Sequence, residues 1–223
     1  MSIQNRLKEV RAQIGNKALL VAVSKTKPNE DLLEAYNAGQ RIFGENKVQE
    51  LVGKYEALPK DIQWHMIGHL QSNKVKYIAP FVSLIHGVDT VKLLKTINKE
   101  GAKNKRKIPC LLQLHIAEES TKFGFSEEEL MIILSDNFIN ELEYIEIRGI
   151  MGMATFTDDE AHVRKEFSHL KRIFQNLKSG IFQTTDCFKE ISMGMSGDYQ
   201  IAIEEGSTMV RVGSSIFGAR NYH

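Results

Sequence analysis

Cysteine is nearly absent from this sequence. Cys110 and Cys187 are the only two among 223 residues, and neither sits in a CxxC or comparable metal spacing. A pair so far apart reads as reduced thiols, which argues against a disulfide framework and against a cysteine metal site. Proline is scarce too, at 4 residues, and no Pro/Gly-rich linker or low-complexity stretch divides the chain. No run approaches the roughly 18 apolar residues that a membrane span requires. Neither sign of charge dominates: 29 Lys+Arg face 28 Asp+Glu, so no global field draws the protein to nucleic acid or to an anionic membrane. The opening MSIQNRLKEVRAQI lacks the continuous apolar segment of a signal peptide, so a cytoplasmic protein is expected.

What is present is periodic. The chain is 42% hydrophobic and long enough to bury a substantial core. Ile3, Leu7, Val10 and Ile14 follow the spacing of an amphipathic helix. Short apolar runs then alternate with helical segments. Strands are expected at 18–24, 41–43, 63–67, 82–86, 108–115, 144–151, 190–193 and 209–212. Between them lie helical patterns such as Val48, Leu51, Tyr55, Leu58 and Val163, Phe167, Leu170, Phe174, Leu177. Ser126 with Glu129, and Thr157 with Glu160, have the spacing of capping boxes. Eight strands separated by helices imply parallel pairing, because parallel strands need crossovers. The expected fold is α/β: one (β/α)8 TIM-like barrel domain over 1–223 with an extra N-terminal helix. A doubly wound open sheet is the alternative.

In a barrel, function belongs at the C-terminal ends of the strands. Three places there carry chemistry. In Val21-Ala22-Val23-Ser24-Lys25 an apolar strand runs into a lysine. Partial burial disfavours an ammonium, and a neutral amine is what Schiff-base chemistry needs. A lysine that simply reaches solvent at a strand end fits the same segment. The second place is the block Ser192–Asp198 with Glu205–Ser215, where small residues follow the last two strands. Such loops offer backbone N–H groups and hydroxyls to a phosphate, or serve as tight turns alone. There is no GxxxxGK[ST], which argues against a nucleoside triphosphate. The third is Phe43-Gly44-Glu45-Asn46 with the stretch from His65 to Lys74. Asn46 fits a pocket wall or the N-cap of the next helix. His65 and His69 are four apart but flank a strand end without an HExxH glutamate, so hydrogen-bonded histidines are expected and no metal. The repeated Met-Gly-Met at 151–153 and 193–195 allows sharp turns and close approach of a flat ligand. An aldehyde, a phosphate and a flat ring together describe pyridoxal phosphate (PLP).

At these residues the chain resembles the pyridoxal phosphate homeostasis protein family, PLP-binding barrels of the alanine racemase N-terminal class. The marks are AVSKTKP at 22–28, FGEN at 43–46, HMIGHLQSNK at 65–74, RGIMGMA at 148–154, SMGMSGD at 192–198 and GSTMVRVGSSIFGAR at 206–220. The resemblance covers essentially the whole chain. It implies a fold-type III barrel without the racemase β-domain, PLP in Schiff-base linkage to Lys25, and phosphate held by Ser196, Gly213 and Ser214. It places Arg211 at the pyridine nitrogen, Asn46 along the pocket, and Ser192 and Met193 on one wall. Lys122 matches a lysine of a secondary PLP site. A permanent guanidinium beside the ring disfavours its protonation and makes a poorer electron sink. That suits a holder of PLP and a racemase alike. With no base evident opposite Lys25 and no racemase β-domain, the expected function is PLP homeostasis without enzymatic turnover, as a monomer that passes cofactor to PLP-requiring apo-enzymes. A racemase working with the barrel alone, and a phosphosugar enzyme using Lys25, are the competing readings.

Overall fold

A computed structural model describes residues 1–117, 123–135 and 137–219. The strands are β1 Leu19–Val23, β2 Ile42–Glu45, β3 Gln63–Met66, β4 Leu84–Val88, β5 Ile108–Gln113, β6 Ile145–Met151, β7 Glu190–Met195 and β8 Met209–Val212. The helices are α1 Ile3–Ile14, α2 Asn29–Asn37, α3 Val48–Ala57, α4 Val75–Ile78, α5 Val91–Lys103, α6 Glu127–Ser135, α7 Glu160–Ser179, α8 Tyr199–Glu204 and α9 Ser214–Phe217. Every strand pairs in parallel with its neighbours in chain order, and β1 closes on β8, with Val21 opposite Arg211. The result is a closed (β/α)8 barrel, not an open sheet.

Alternation along each strand sorts the side chains into two layers. Inward-facing Val21, Leu84, Leu111, Met151 and Met209 form a small apolar cluster inside the barrel. Their neighbours Leu20, Ala22, Phe43, Trp64, Ile85, Leu112 and Ile150 join a much larger cluster with the helices. The periodic faces of α1 and α7 supply that shell: Ile3, Leu7, Val10 and Ile14, then Val163, Phe167, Leu170, Phe174 and Leu177, are all buried. Gly149 is obligatory at its position. Its φ is +152°, and a Cβ there would stand 1.8 Å from the Glu190 carbonyl oxygen.

Helix starts agree with the sequence at one place and differ at another. Ser126 and Glu129 form the reciprocal box: Ser126 Oγ accepts from the Glu129 N–H at 3.0 Å, and the Glu129 carboxylate accepts from the Ser126 N–H at 2.9 Å. The expected box of Thr157 with Glu160 does not form. Asp159 caps α7 instead, accepting from the His162 N–H, while Thr157 Oγ1 accepts from the Asp159 N–H. A carboxylate nearer the helix start outcompetes the hydroxyl for the unpaired donors. Among the described residues no helix is long and apolar enough to cross a membrane.

Candidate functional site

The candidate site is the C-terminal mouth of the barrel, where β1 and β8 lie side by side. Lys25 follows β1 on the alternation that turns Val21 inward, and it is half-buried. Gly213, just after β8, packs so closely on β1 that a Cβ there would meet the Val23 carbonyl oxygen at 3.1 Å. Its N–H donates to Ser196 Oγ at 3.0 Å, which joins the loops after β7 and β8. Ser214 opens α9 beside them. The backbone at Gly194 turns with φ +93°, and a Cβ there would stand 2.5 Å from Ala202 Cβ, so that bend of the Met-Gly-Met turn requires glycine. Lys27 fastens the same seam, donating to the carbonyls of Phe217 and Ala219 at 3.0 and 3.1 Å.

Arg211 on β8 points into the barrel and is buried. Nη1 donates to Ser192 Oγ at 2.6 Å and Nη2 to the Gly152 carbonyl at 3.1 Å. Ser192 Oγ lies 2.9 Å from His86 Nδ1, and His86 Nε2 lies 3.0 Å from His65 Nδ1. A polar relay therefore crosses the interior from β8 through β7 and β4 to β3. Both histidines are held neutral. Burial, aided by the charge of Arg148, lowers His65 to about 3. Burial first, then the neighbouring His65 and the Arg211 charge, put His86 well below its ordinary value. A neutral imidazole carries one N–H, and the arginine can only donate. Ser192 therefore accepts from Arg211, and one proton is shared across each of the Ser192–His86 and His86–His65 contacts. Burial lowers Arg211 to about 10, which leaves it cationic at neutral pH.

The remaining sequence-predicted residues fall as follows. Asn46 follows β2 at the same rim but does not cap α3; that position belongs to Lys47, and the backbone of Asn46 packs on Gly68 instead. Met193 departs from the expected wall. It is buried in the large outer cluster, on the face of β7 opposite to Ser192, because adjacent strand residues point to opposite sides. Lys122 lies outside the described residues. His69 pairs with Asp89 at 2.9 Å and stacks on Phe123, apart from the His65–His86 pair. Among the described residues no cluster of His, Cys, Asp or Glu is suited to a metal ion. Sequence reading did not single out His86, since β4 reads as an ordinary apolar strand. A cleft of about 490 Å³ opens at the other end of the barrel near Leu19 and Arg41, but its arginines are already engaged. Arg11 binds the Ala38 carbonyl and Gln40, and Arg41 binds Asp61.

The donor set fits a planar aldehyde phosphate. Arg211 has five N–H donors, of which the protein's own hydrogen bonds use two, so donors remain for an aromatic nitrogen. An amine at Lys25 and hydroxyl and amide donors at Ser196, Gly213 and Ser214 share the mouth with it.

Comparison with known proteins places the chain. The family described as alanine racemase, N-terminal domain, matches residues 1–221. A pyridoxal phosphate homeostasis protein of Aquifex aeolicus is 38% identical over 208 residues, covering 93% of this chain and 89% of its own. PipY of Synechococcus elongatus superposes with a TM-score of 0.91 without PLP and 0.88 with PLP bound, at 34% identity over 97% of this chain and 100% of PipY. Alanine racemase of Bartonella henselae shares the fold at 16% identity and a TM-score of 0.73, over 62% of its length.

Proposed function

The chain belongs to the pyridoxal phosphate homeostasis proteins of the alanine racemase N-terminal domain family, and from this we propose that it binds PLP at the barrel mouth and buffers or delivers it inside the cell. The observation that carries the reading is the buried, doubly anchored Arg211 with donors to spare, on the strand beside Lys25. Support comes from PipY, whose structure holds PLP at 34% identity.

Lys25 holds the cofactor covalently through its amine. Ser196, Gly213 and Ser214 take the phosphate. Arg211 donates to the ring nitrogen and keeps a proton off it, because a fixed guanidinium charge opposes a second positive charge alongside. Ser192 supports Arg211 from below, Asn46 lines the rim, and Met193 serves through its packing in the outer layer. When bound, the cofactor supplies an electrophilic aldehyde and an electron-accepting ring. With the ring nitrogen unprotonated that electron sink is weak. We also infer a single barrel domain acting as a monomer in the cytoplasm, with PLP-requiring apo-enzymes as recipients.

The test is the visible spectrum of purified protein before and after borohydride, followed by peptide mass mapping. A band that reduction abolishes, with a phosphopyridoxyl mass on the Lys25 peptide and none in Lys25→Ala, is expected. Absence of the band after added PLP sinks the reading. Transfer to an apo-enzyme, with no racemisation across an amino-acid panel, separates carrier from enzyme.

A further inference from the structure

Lys25 stands between two backbone groups that are both gripped by one helix. On one side, Lys54 Nζ of α3 donates to the Ser24 carbonyl at 2.7 Å. On the other, Glu50 of α3 accepts from the Thr26 N–H at 2.6 Å. Glu50 and Lys54 are one helical turn apart and paired at 2.7 Å. Glu45, fully buried at the end of β2, completes the grouping: it accepts from Lys54 at 2.8 Å and from Ser24 Oγ at 2.6 Å. Ser24 Oγ faces this cluster outside the barrel wall, so alternation sends the next side chain, Lys25, to the other face.

The backbone needs this grip. Thr26 has φ +65°, a left-handed conformation that a β-branched residue adopts only when its surroundings impose it. The peptide groups on either side of the Lys25 Cα are therefore fixed, and with them the direction in which its side chain leaves the chain. None of the three charged residues belongs to the donor set for PLP.

We propose that Glu45, Lys54 and Glu50 form a positioning device for Lys25, which sets the rate at which its amine links to the PLP aldehyde while leaving phosphate anchoring alone. The proposal rests on the reading that Lys25 is the covalent anchor. In the linking step the Lys25 nitrogen bonds to the aldehyde carbon and the aldehyde oxygen leaves as water, so no other reactant is needed. Misplacing the amine slows that step, whereas a ligand without an aldehyde does not depend on it.

The experiment uses the full chain stripped of PLP. Stopped-flow absorbance with PLP, and borohydride trapping at Lys25, report the covalent step. Pyridoxine 5′-phosphate, which carries an alcohol in place of the aldehyde, reports anchoring alone. Glu50→Ala slows the covalent step by about ten- to a hundredfold, with pyridoxine 5′-phosphate affinity unchanged. Glu50→Gln restores most of the rate, because its amide oxygen still accepts from Thr26. The double variant Glu45→Leu/Lys54→Met, which removes the buried pair together, is slowed in the same way. Wild-type rates in both Glu50→Ala and the double variant overturn the proposal, as does an equal loss of affinity for pyridoxine 5′-phosphate, which marks a merely structural role. If the wild-type chain fails to trap PLP on Lys25, the covalent reading itself falls and takes this proposal with it.

Discussion

Behind Arg211, the barrel interior is polar without being ionic: serine and two neutral histidines carry the hydrogen bonds away from a single cation. Behind Lys25, outside the barrel wall, the grouping is ionic, with two carboxylates around one ammonium. The difference follows from what each can afford in its surroundings. Arg211, Ser192, His86 and His65 are all buried, so a neutral chain of single-proton links pairs them without a second charge to desolvate. The cluster under α3 leans on the helix surface, where Glu50 keeps some exposure and can share the charge of Lys54. It is the less settled of the two, since Glu45 Oε2 is buried with no hydrogen-bond partner among the described residues. Desolvation accordingly raises Glu45 despite the adjacent Lys54 charge.

The sharpest way to break the ionic side is Lys54→Met. It strands a buried carboxylate and is expected to cost about 3–5 kcal/mol in urea unfolding, whereas Glu45→Leu/Lys54→Met, which removes both partners, comes close to neutral. A double variant as damaged as the single one would show that the cluster's value lies in packing. On the neutral side, His86→Leu leaves Ser192 only its bond from Arg211 and removes the partner of His65 Nδ1, at an expected cost of about 1–3 kcal/mol by the same measurement.

The pH dependence of stability separates the two groupings by sign. His65 and His86 have depressed values, so their contribution is full above about 6.5 and is lost as pH falls toward their folded values, near 3 for His65. The slope reaches about 1.4 kcal/mol per pH unit for each histidine. Glu45 is raised, so its contribution is full below its ordinary 4.5 and is lost as pH rises through the folded value. Unfolding curves from pH 4 to 7 should flatten in His86→Leu and steepen in Glu45→Gln; parallel curves in all three proteins would erase the distinction. The smallest effect calibrates the rest. Ser126→Ala, far from both groupings, removes one cap and costs about 1 kcal/mol, with the covalent step at Lys25 unchanged.

Local signals carried much of the architecture. Short apolar runs and helix-sized gaps located eight strands, and β8 lies at 209–212 as read. Lys25 and the small-residue loops drew attention because strand ends in a barrel are where chemistry collects, whereas Arg211 drew it through the family resemblance. What the sequence hid depends on tertiary pairing. Lys54 interrupts an apolar helix face, and nothing along α3 shows that its charge is buried against β2. His86 becomes meaningful only when β4 and β7 are brought across the barrel from one another. The resemblance sets Met193 beside Ser192, while the pleat turns these neighbours to opposite sides of β7.

The seam between β1 and β8 has a consequence for how the protein comes to exist. Lys25 and Gly213 sit on the first and last strands, and Lys27 reaches 190 residues along the chain to Phe217. A growing polypeptide exposes the lysine long before the loop that pairs with it has been made. The seam is complete only once the ring of strands has closed, so a ribosome-bound fragment carries the lysine without the loop that lies beside it in the finished molecule.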